Sequence, residues 1–129
     1  MMKISLITIC WNSERTLSRT LKTVMEQSRR PDEYLFVDGG STDRTLEILE
    51  DFKAKSEHSN MAVRILQQVR HEGAAGIPDA WNQGISEVTG DVIGLLNSDD
   101  WYEPTALESV ENVLEKHPKC GAVSCPTRF

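Results

Sequence analysis

Val92-Ile-Gly-Leu-Leu-Asn-Ser-Asp-Asp-Trp101 is the stretch of the sequence that decides the fold. Its first five residues are apolar or glycine, and they follow the helix breaker Gly90, which predicts a buried central β-strand at Val92–Leu96. Polar residues and two aspartates follow at once, at the carboxyl end of that strand. Open α/β sheets place their ligand crevices at this edge. The pattern therefore predicts a ligand site directly after the strand.

Asp99 and Asp100 allow two interpretations. Adjacent carboxylates repel each other unless a cation or hydrogen-bond donors compensate their charge. Hard oxygen ligands suit Mg²⁺ or Mn²⁺, which can bridge a diphosphate. The alternative is a plain turn, because Asn-Ser-Asp-Asp is also favourable turn and N-cap chemistry. The stretch alone leaves both interpretations open, and the rest of the chain has to decide.

The bulk composition predicts one soluble domain. The chain has 129 residues, of which 39% are hydrophobic and 26% charged, and its net charge of -6 argues against nucleic acid or an anionic membrane as the main partner. The cysteines Cys10, Cys120 and Cys125 do not form the pattern of a disulfide framework. No membrane-spanning run or signal peptide is present, so we expect a cytoplasmic protein. Association with the inner face of the membrane, through other parts of the protein, is left open.

Predicted strands and helices alternate along the chain. Apolar, β-branched runs predict strands at Ile4–Cys10, Tyr34–Val37, Ala62–Leu66, Val92–Leu96 and Gly121–Cys125. Helical periodicity predicts helices at about 14–27, 42–58, 78–90 and 103–117. We expect Asn12 or Ser13 to cap the first helix, and the third helix to bury Ile77, Trp81, Ile85 and Val88. This order predicts a doubly wound, mainly parallel sheet with helices on both faces.

Polar residues follow three of the predicted strands, and the ends of parallel strands meet at one edge of a sheet. The three groups are Cys10-Trp11-Asn12, Asp38-Gly39-Gly40-Ser41 and Asn97-Ser98-Asp99-Asp100. Trp11 can stack on a nucleobase, and Asp38 can accept a hydrogen bond from a base N–H. Gly39 and Gly40 let backbone amides approach a ligand. A packing tryptophan and a simple turn with an N-cap are the alternatives.

Several common nucleotide-binding and catalytic motifs are missing from the sequence. No Gly-x-Gly-x-x-Gly opens the first helix, and there is no Walker loop and no nucleophile elbow. His58, His71 and His117 have no metal-ligand spacing, which favours structural or surface positions. Without these motifs, the three groups of polar residues at the strand ends are the candidate functional residues of the chain.

Four segments span nearly the whole chain in a recognisable order: Ser5–Asn12, Val37–Thr45, Gly76–Ile85 and Gly90–Asp100. Together they resemble the N-terminal, nucleotide-sugar-binding part of a family 2 glycosyltransferase with the GT-A fold. The Val-Asp-Gly-Gly-Ser-Thr-Asp form is similar to that of bacterial enzymes that build surface polysaccharides. The resemblance implies nucleotide-sugar contacts from Cys10, Trp11, Asn12, Asp38, Gly39, Gly40, Asp79, Asn82, Asn97, Ser98 and Asp99. It also implies a divalent cation, Mn²⁺ or Mg²⁺, on Asp99 and Asp100.

The chain departs from the family pattern at several positions. Gly39 stands where a second aspartate is usual, and Asn97 replaces the first aspartate of the Asp-x-Asp motif. Ile9-Cys10-Trp11 stands in place of Pro-Thr-Tyr, and Ala74-Ala75 replaces residues that are frequently charged. The chain stops at Phe129, directly after a predicted strand, which we interpret as a C-terminal truncation. The acceptor-binding part is then absent, and the general base lies beyond the end of the chain.

The resemblance implies that residues 1–129 are the nucleotide-sugar-binding domain of a metal-dependent, inverting glycosyltransferase. It would transfer a sugar from a nucleotide-diphosphate donor, foremost a UDP-sugar, to a glycan or lipid-linked acceptor in cell-surface polysaccharide synthesis. This chain alone is expected to bind the donor without transferring the sugar. The alternatives are a non-catalytic nucleotide-binding module and a nucleotidyltransferase of similar fold. The latter needs a basic, glycine-rich loop after the first strand, which residues 10–13 do not supply.

Overall fold

The computed structural model describes residues 2–69 and 76–124. Within them, four strands and four helices alternate as predicted. The elements are β1 (Ile4–Cys10), α1 (Leu17–Met25), β2 (Glu33–Asp38), α2 (Thr45–Lys55), β3 (Ala62–Gln67), α3 (Gly76–Glu87), β4 (Val92–Leu95) and α4 (Ala106–Lys116). Three of the helices, α1, α2 and α4, begin about three residues later than the sequence predicted, because turns precede them.

The four strands form one parallel sheet in the order β3-β2-β1-β4. The chain therefore advances from β1 to β3 in one direction and then returns to place β4 on the other side of β1. The predicted doubly wound parallel sheet is confirmed. The strand order reverses between β1 and β4, and in such sheets the ligand crevice lies outside the carboxyl ends of the strands at this reversal.

Helices cover both faces of the sheet. On one face, Leu6 and Phe36 pack with residues of α1 and α2, including Leu17 and Leu49, to form the main hydrophobic core. On the opposite face, α3 contacts β1 and β2. Successive side chains of a strand point to opposite faces of the sheet, so alternate residues of each strand face the helices on one side or the other.

The prediction that Val92–Leu96 is a buried central strand is wrong. In the part of the chain that the structure describes, β4 pairs with β1 alone and lies at the edge of the sheet. Ile93 and Leu95 are 41% and 51% exposed, whereas Leu96, just after the strand, is buried. A short apolar run predicts a strand, but it carries no information about how many neighbours that strand has.

The predicted buried stripe of α3 is also wrong. Ile77 and Ile85 are exposed, and the buried residues of α3 are Ala80 and Gly84. A Cβ added at Gly84 would lie 2.8 Å from Cγ2 of Ile7, so the helix approaches the sheet too closely for a larger side chain. The small residues define the inward face because the helix packs against the sheet through its backbone.

The predicted fifth strand, Gly121–Cys125, is not formed by residues 121–124, and Cys125 lies outside the described residues. A strand needs a neighbour that accepts and donates its backbone hydrogen bonds. Residues 121–124 instead line a cavity of about 1000 Å³ between β4 and α4. Among the described helices, none is long and apolar enough to cross a membrane.

Candidate functional site

Three loops leave the carboxyl ends of β1, β2 and β4 and meet at one edge of the sheet. We call them the β1 loop (residues 11–16), the β2 loop (39–44) and the β4 loop (96–105). The backbone N–H of Ser13 donates to Oγ1 of Thr45, at the start of α2, over 2.7 Å. The hydroxyl of Ser13 lies 2.9 Å from that of Ser98 in the β4 loop. Ser13 therefore connects the β1 loop with the start of α2 and with the β4 loop.

Asn12 is hydrogen-bonded to the β2 loop. Its backbone has a φ of 46°, in the left-handed region that asparagine tolerates better than most residues. Its side-chain Oδ1 accepts a 2.8 Å hydrogen bond from the N–H of Thr42, and its own N–H donates to the hydroxyl of Ser41. The prediction that Asn12 or Ser13 caps α1 with its side chain is wrong, since α1 has no side-chain cap. The carbonyl of Ser13 accepts the first N–H groups instead.

Asp38 is fully buried and holds its own loop together. One carboxylate oxygen accepts hydrogen bonds from the N–H groups of Gly40 (3.0 Å) and Ser41 (2.9 Å), and the other accepts from the Ser41 hydroxyl (2.6 Å). Gly40 has a φ of 97°, which favours glycine. The turn interpretation of this motif is therefore confirmed. A contact between Asp38 and a nucleobase stays a prediction.

A cavity of about 720 Å³ opens between the β1 loop, the β4 loop and the start of α3. Most of the predicted nucleotide-sugar residues line it, namely Cys10, Trp11, Asn12, Gly39, Asn97, Ser98 and Asp99. The fold thus brings together residues from three separate segments of the chain. Four predicted residues, Asp38, Gly40, Asp79 and Asn82, are not part of the lining, nor is the predicted metal ligand Asp100.

Asp79 and Asn82 lie on a different side of α3 from the residues that line the cavity. The lining residues of this helix are Gly76, Ile77 and Ala80. The carboxylate of Asp79 accepts a 2.8 Å hydrogen bond from the amide of Gln83. Ala80 and Gly84, four residues apart, form the buried face of α3, whereas Ile77 is exposed at the cavity. Donor contacts from Asp79 and Asn82 stay predictions.

Trp11 and Cys10 occupy opposite environments at the end of β1. The indole of Trp11 is 65% exposed at the cavity. Cys10 is buried, and burial together with the nearby charge of Asp38 raises the pKa of its thiol to about 12. At neutral pH the thiol is therefore protonated, which makes it a poor nucleophile. Trp11 is the aromatic surface that the cavity offers.

Asp99 and Asp100 are exposed carboxylates at the end of a turn. The N–H of Asp100 donates to the carbonyl of Asn97 over 3.2 Å, and the Asn97 amide donates to a carboxylate oxygen of Asp100 over 3.1 Å. Asp99 has no hydrogen bond or ion pair with the described residues. The turn interpretation is therefore confirmed, and a ligand contact of the exposed Asp99 carboxylate stays a prediction.

This pair of carboxylates fits a divalent cation that binds together with a substrate. The described residues form no cluster of three or more His, Cys, Asp or Glu that could hold a metal by itself. Mg²⁺ in phosphate-transfer sites is commonly held by one or two carboxylates, with substrate phosphates and water completing the shell. The carboxylates of Asp99 and Asp100 match a site of this kind, in which substrate phosphates and water supply the remaining ligands.

The sequence analysis missed Arg15, Thr16 and Gln68, all of which line the cavity. Arg15 is exposed and makes no ion pair with the described residues. A guanidinium group binds phosphate oxygens well. Its position just before α1 resembles that of an ordinary surface charge, so no local pattern distinguishes it.

The open parallel sheet, with a cavity at the reversal of its strand order, has the α/β fold of GT-A glycosyltransferases. The mannosyltransferase PcManGT from Pyrobaculum calidifontis, solved with GDP-Man and Mn²⁺, superposes with a TM-score of 0.81. The identity is 24%, over 98% of this chain and 36% of that one. Residues 1–349 of S. aureus TarS, solved with UDP-GlcNAc, give a TM-score of 0.75, with 23% identity over 98% of this chain and 37% of that one.

Residues 5–129 match the model of the family described as Glycosyl transferase family 2. The chain belongs to this family. EpsE of Bacillus subtilis (strain 168) is 32% identical over 115 residues, which are 89% of this chain and 39% of that protein. The poly-beta-1,6-N-acetyl-D-glucosamine synthase of Staphylococcus epidermidis is 26% identical over 121 residues, 94% of this chain and 27% of the synthase. The chain therefore spans well under half the length of these relatives.

Proposed function

We propose that this chain binds the donor of a metal-dependent, inverting glycosyltransferase that acts in cell-surface polysaccharide synthesis. The enzyme would transfer a sugar from a nucleoside diphosphate to a glycan or lipid-linked acceptor. One observation carries the proposal: the cavity at the reversal of strand order brings the exposed indole of Trp11 and the exposed carboxylate of Asp99 to one opening. Family membership and the similarity to a polysaccharide synthase support it.

The donor that we propose is a UDP-sugar. The cavity volume of about 720 Å³ lies within the range of small-molecule sites. In this proposal Trp11 stacks on the base, and the backbone around Gly39 lies close to the nucleoside. A Cβ at Gly39 would lie 3.3 Å from Gln68 and 3.5 Å from the carbonyl of Cys10, so this wall leaves little room for a side chain. The solved structures of two similar proteins contain UDP-GlcNAc and GDP-Man, which supports a nucleotide-sugar donor.

Mn²⁺ or Mg²⁺, when bound, would neutralise the negative charge that develops on the departing diphosphate. Asp99 and Asp100 would hold the cation, and the Mn²⁺ in the PcManGT structure supports its presence. Arg15, on the same cavity lining as Asp99, would add a second positive charge beside the phosphates. In this proposal the acidic pair would hold the cation, and Arg15 would bind phosphate oxygens of the donor.

The acceptor hydroxyl requires a general base. The chain spans 39% of EpsE and 27% of the synthase, so we place the base and the acceptor site in parts of the protein outside these residues. A lipid-linked acceptor would place the enzyme at the inner face of the membrane.

Calorimetric titration with UDP tests the donor site. The chain is expected to bind UDP in the presence of Mn²⁺ and to lose most of that affinity in EDTA. Asp99→Asn should bind UDP equally in both conditions, because the carboxylate that holds the cation is gone. Asp91→Asn is the matched control, since Asp91 lies at the other end of β4. Equal affinity of the unmodified chain in Mn²⁺ and EDTA would remove the metal, and no binding at millimolar UDP would overturn the donor site.

Measurement of sugar transfer tests the proposal that residues 1–129 bind the donor and that the general base and acceptor site lie outside them. General-base help contributes about 10²–10⁴-fold to rate, and acceptor positioning contributes more. The 129-residue chain should therefore release sugar only slowly, to water, whereas the full-length protein should transfer it to an acceptor. Comparable rates for the two would show that the base lies within residues 1–129.

A further inference from the structure

The β4 loop, which carries Asp99 and Asp100, runs along one polar face of α1. The face consists of Thr16 just before the helix, Thr20 and Thr23 within it, and Gln27 just after it. These residues recur every three or four positions, the spacing of one side of a helix. We call this set the α1 polar face. An adjoining side of α1 carries the apolar residues that anchor it in the core, including Leu17, Leu21 and Val24.

Two threonines of the α1 polar face hold the backbone on both sides of Asp99. The hydroxyl of Thr20 lies 2.6 Å from the carbonyl oxygen of Asp100 and 3.0 Å from that of Ser98, and it shares its one proton between them. The hydroxyl of Thr16 donates to the same Ser98 carbonyl over 2.9 Å. The carbonyls that flank Asp99 are therefore bound to one helix.

The remaining two residues extend this support along the loop. The hydroxyl of Thr23 accepts a hydrogen bond from the N–H of Tyr102 over 3.3 Å. The Gln27 amide donates to the carbonyl of Glu103 over 2.7 Å and accepts from the N–H of Leu107 over 3.1 Å. From Ser98 to Leu107, α1 and the residues that flank it thus hydrogen-bond to five backbone groups of the β4 loop and the start of α4.

The placement of two adjacent carboxylates requires such support. Loops without regular structure are ordinarily more mobile than the elements they connect. Asp99 and Asp100 also repel each other in the absence of a cation. Binding groups need to be held within about 0.5 Å of their productive geometry. A buried hydroxyl on a helix that is packed into the core meets this need, and Thr20 is 1% exposed.

We propose that the α1 polar face, with Thr20 at its centre, is the positioning element that holds Asp99 and Asp100 ready for the cation and the diphosphate. This inference rests on the proposed function of that pair. Thr20 is buried and its hydroxyl is bound to the backbone of the β4 loop, so it acts as a positioning residue.

The variants Thr20→Val and Thr20→Ser separate the hydroxyl from the shape of the side chain. In the full 129-residue chain, Thr20→Val should raise amide hydrogen exchange of residues 97–102. It should also weaken the binding of UDP in Mn²⁺ by about five- to tenfold, the loss expected for one net hydrogen bond. Thr20→Ser keeps the hydroxyl and should restore both properties.

Thr8→Val is the matched control. Thr8 is also fully buried, and its hydroxyl lies 2.7 Å from that of Tyr34, on β2. The substitution should lower the melting temperature while both the exchange of residues 97–102 and the affinity for UDP remain unchanged. If Thr20→Val does not fold, Thr23→Val, which removes the acceptor for the Tyr102 N–H, should show the same two effects to a smaller degree.

The two readouts distinguish the failure of this inference from the failure of the proposed function. Wild-type affinity for UDP in Thr20→Val, or an equal loss in Thr8→Val, would overturn the positioning role while the donor site stands. Absence of UDP binding by the unmodified chain would overturn the proposed function and, with it, the purpose of the positioning. Unchanged hydrogen exchange in Thr20→Val would show that Thr20 does not hold the loop.

Discussion

The hydroxyl oxygens of Ser13 and Ser98 lie 2.9 Å apart, although 85 residues separate them in the sequence. Ser13 follows β1 and Ser98 follows β4, so the contact lies where the strand order of the sheet reverses. The pairing of β1 with β4 is what brings the two loops together. This one contact therefore depends on the topology and joins two walls of the cavity.

A double-mutant cycle with Ser13→Ala and Ser98→Ala should reveal this contact. We expect a coupling free energy of about 0.5–1 kcal/mol in urea unfolding, the net value of one partly buried hydrogen bond. Ser18→Ala, exposed on α1, is the control that should combine additively with Ser98→Ala. Additive effects of Ser13→Ala and Ser98→Ala would show that the contact contributes nothing.

Arg15 is expected to bind the diphosphate. Arg15→Ala should weaken UDP binding by about tenfold or more, since hydrogen bonds to charged groups contribute about 1.5–3 kcal/mol. Uridine, which lacks phosphates, should bind the variant and the unmodified chain equally. Lys22→Ala, on the exposed side of α1, is the charge-matched control. A parallel loss of uridine binding would instead indicate a general disturbance of the β1 loop.

Trp11 is expected to stack on the base. UDP should quench the tryptophan fluorescence of the chain, and Trp11→Phe should abolish most of the quenching while it preserves binding. Trp11→Ala should weaken UDP binding by about 1–3 kcal/mol, the usual value of one base-stacking contact. Trp81→Phe is the control, because Trp81 does not line the cavity. Full quenching in Trp11→Phe would assign the signal to another tryptophan and remove the stacking role.

Gly84 should tolerate no side chain. Gly84→Ala would place its Cβ 2.8 Å from Cγ2 of Ile7 and 3.4 Å from Cγ2 of Val37, so we expect a loss of about 1–3 kcal/mol in the free energy of unfolding. Alanine favours helices by about 1 kcal/mol over glycine, and the overpacking must outweigh that gain. Ser86→Ala, exposed on the same helix, is the control. A more stable Gly84→Ala variant would show that α3 can shift away from the sheet.

Glu33 should contribute a pH-dependent part of the stability. It is buried at the start of β2, where its carboxylate accepts hydrogen bonds from the N–H of Thr89 (2.6 Å) and the hydroxyl of Ser5. Burial alone would raise the pKa of Glu33, but these bonds and the charge of Lys3 hold it below its ordinary value of 4.5. The stabilisation is therefore fully present above about pH 4.5 and is lost as the pH falls through the lower pKa of the folded state.

Glu33→Gln should lower the free energy of unfolding by about 1–2 kcal/mol at pH 7, with the difference shrinking as the pH falls below 4.5. Urea unfolding between pH 2.5 and 7 measures this. Glu50→Gln, exposed on α2, should follow the unmodified chain at every pH. A constant difference between Glu33→Gln and the unmodified chain over the whole range would contradict the assigned pKa shift.

The sequence by itself determined the alternation of strands and helices and the polar residues at the strand ends. These are local properties, because an apolar run or a helical period is complete within one element. Since parallel strands end at one edge, Trp11, Ser98 and Asp99 could be predicted to meet, and they line one cavity. The family resemblance follows from the same segments.

Only the tertiary structure decided which residues support the site and which face outward. Three features depend on what packs against each element. They are the edge position of β4, the inward face of α3 at Gly84, and the hydrogen bond from the β2 loop to the side chain of Asn12. The hydroxyls of Ser13 and Thr20 can bond to many partners, so their sequence positions do not specify which carbonyl or hydroxyl they hold. That choice depends on contacts between residues about 80 positions apart, which no local pattern of this chain contains.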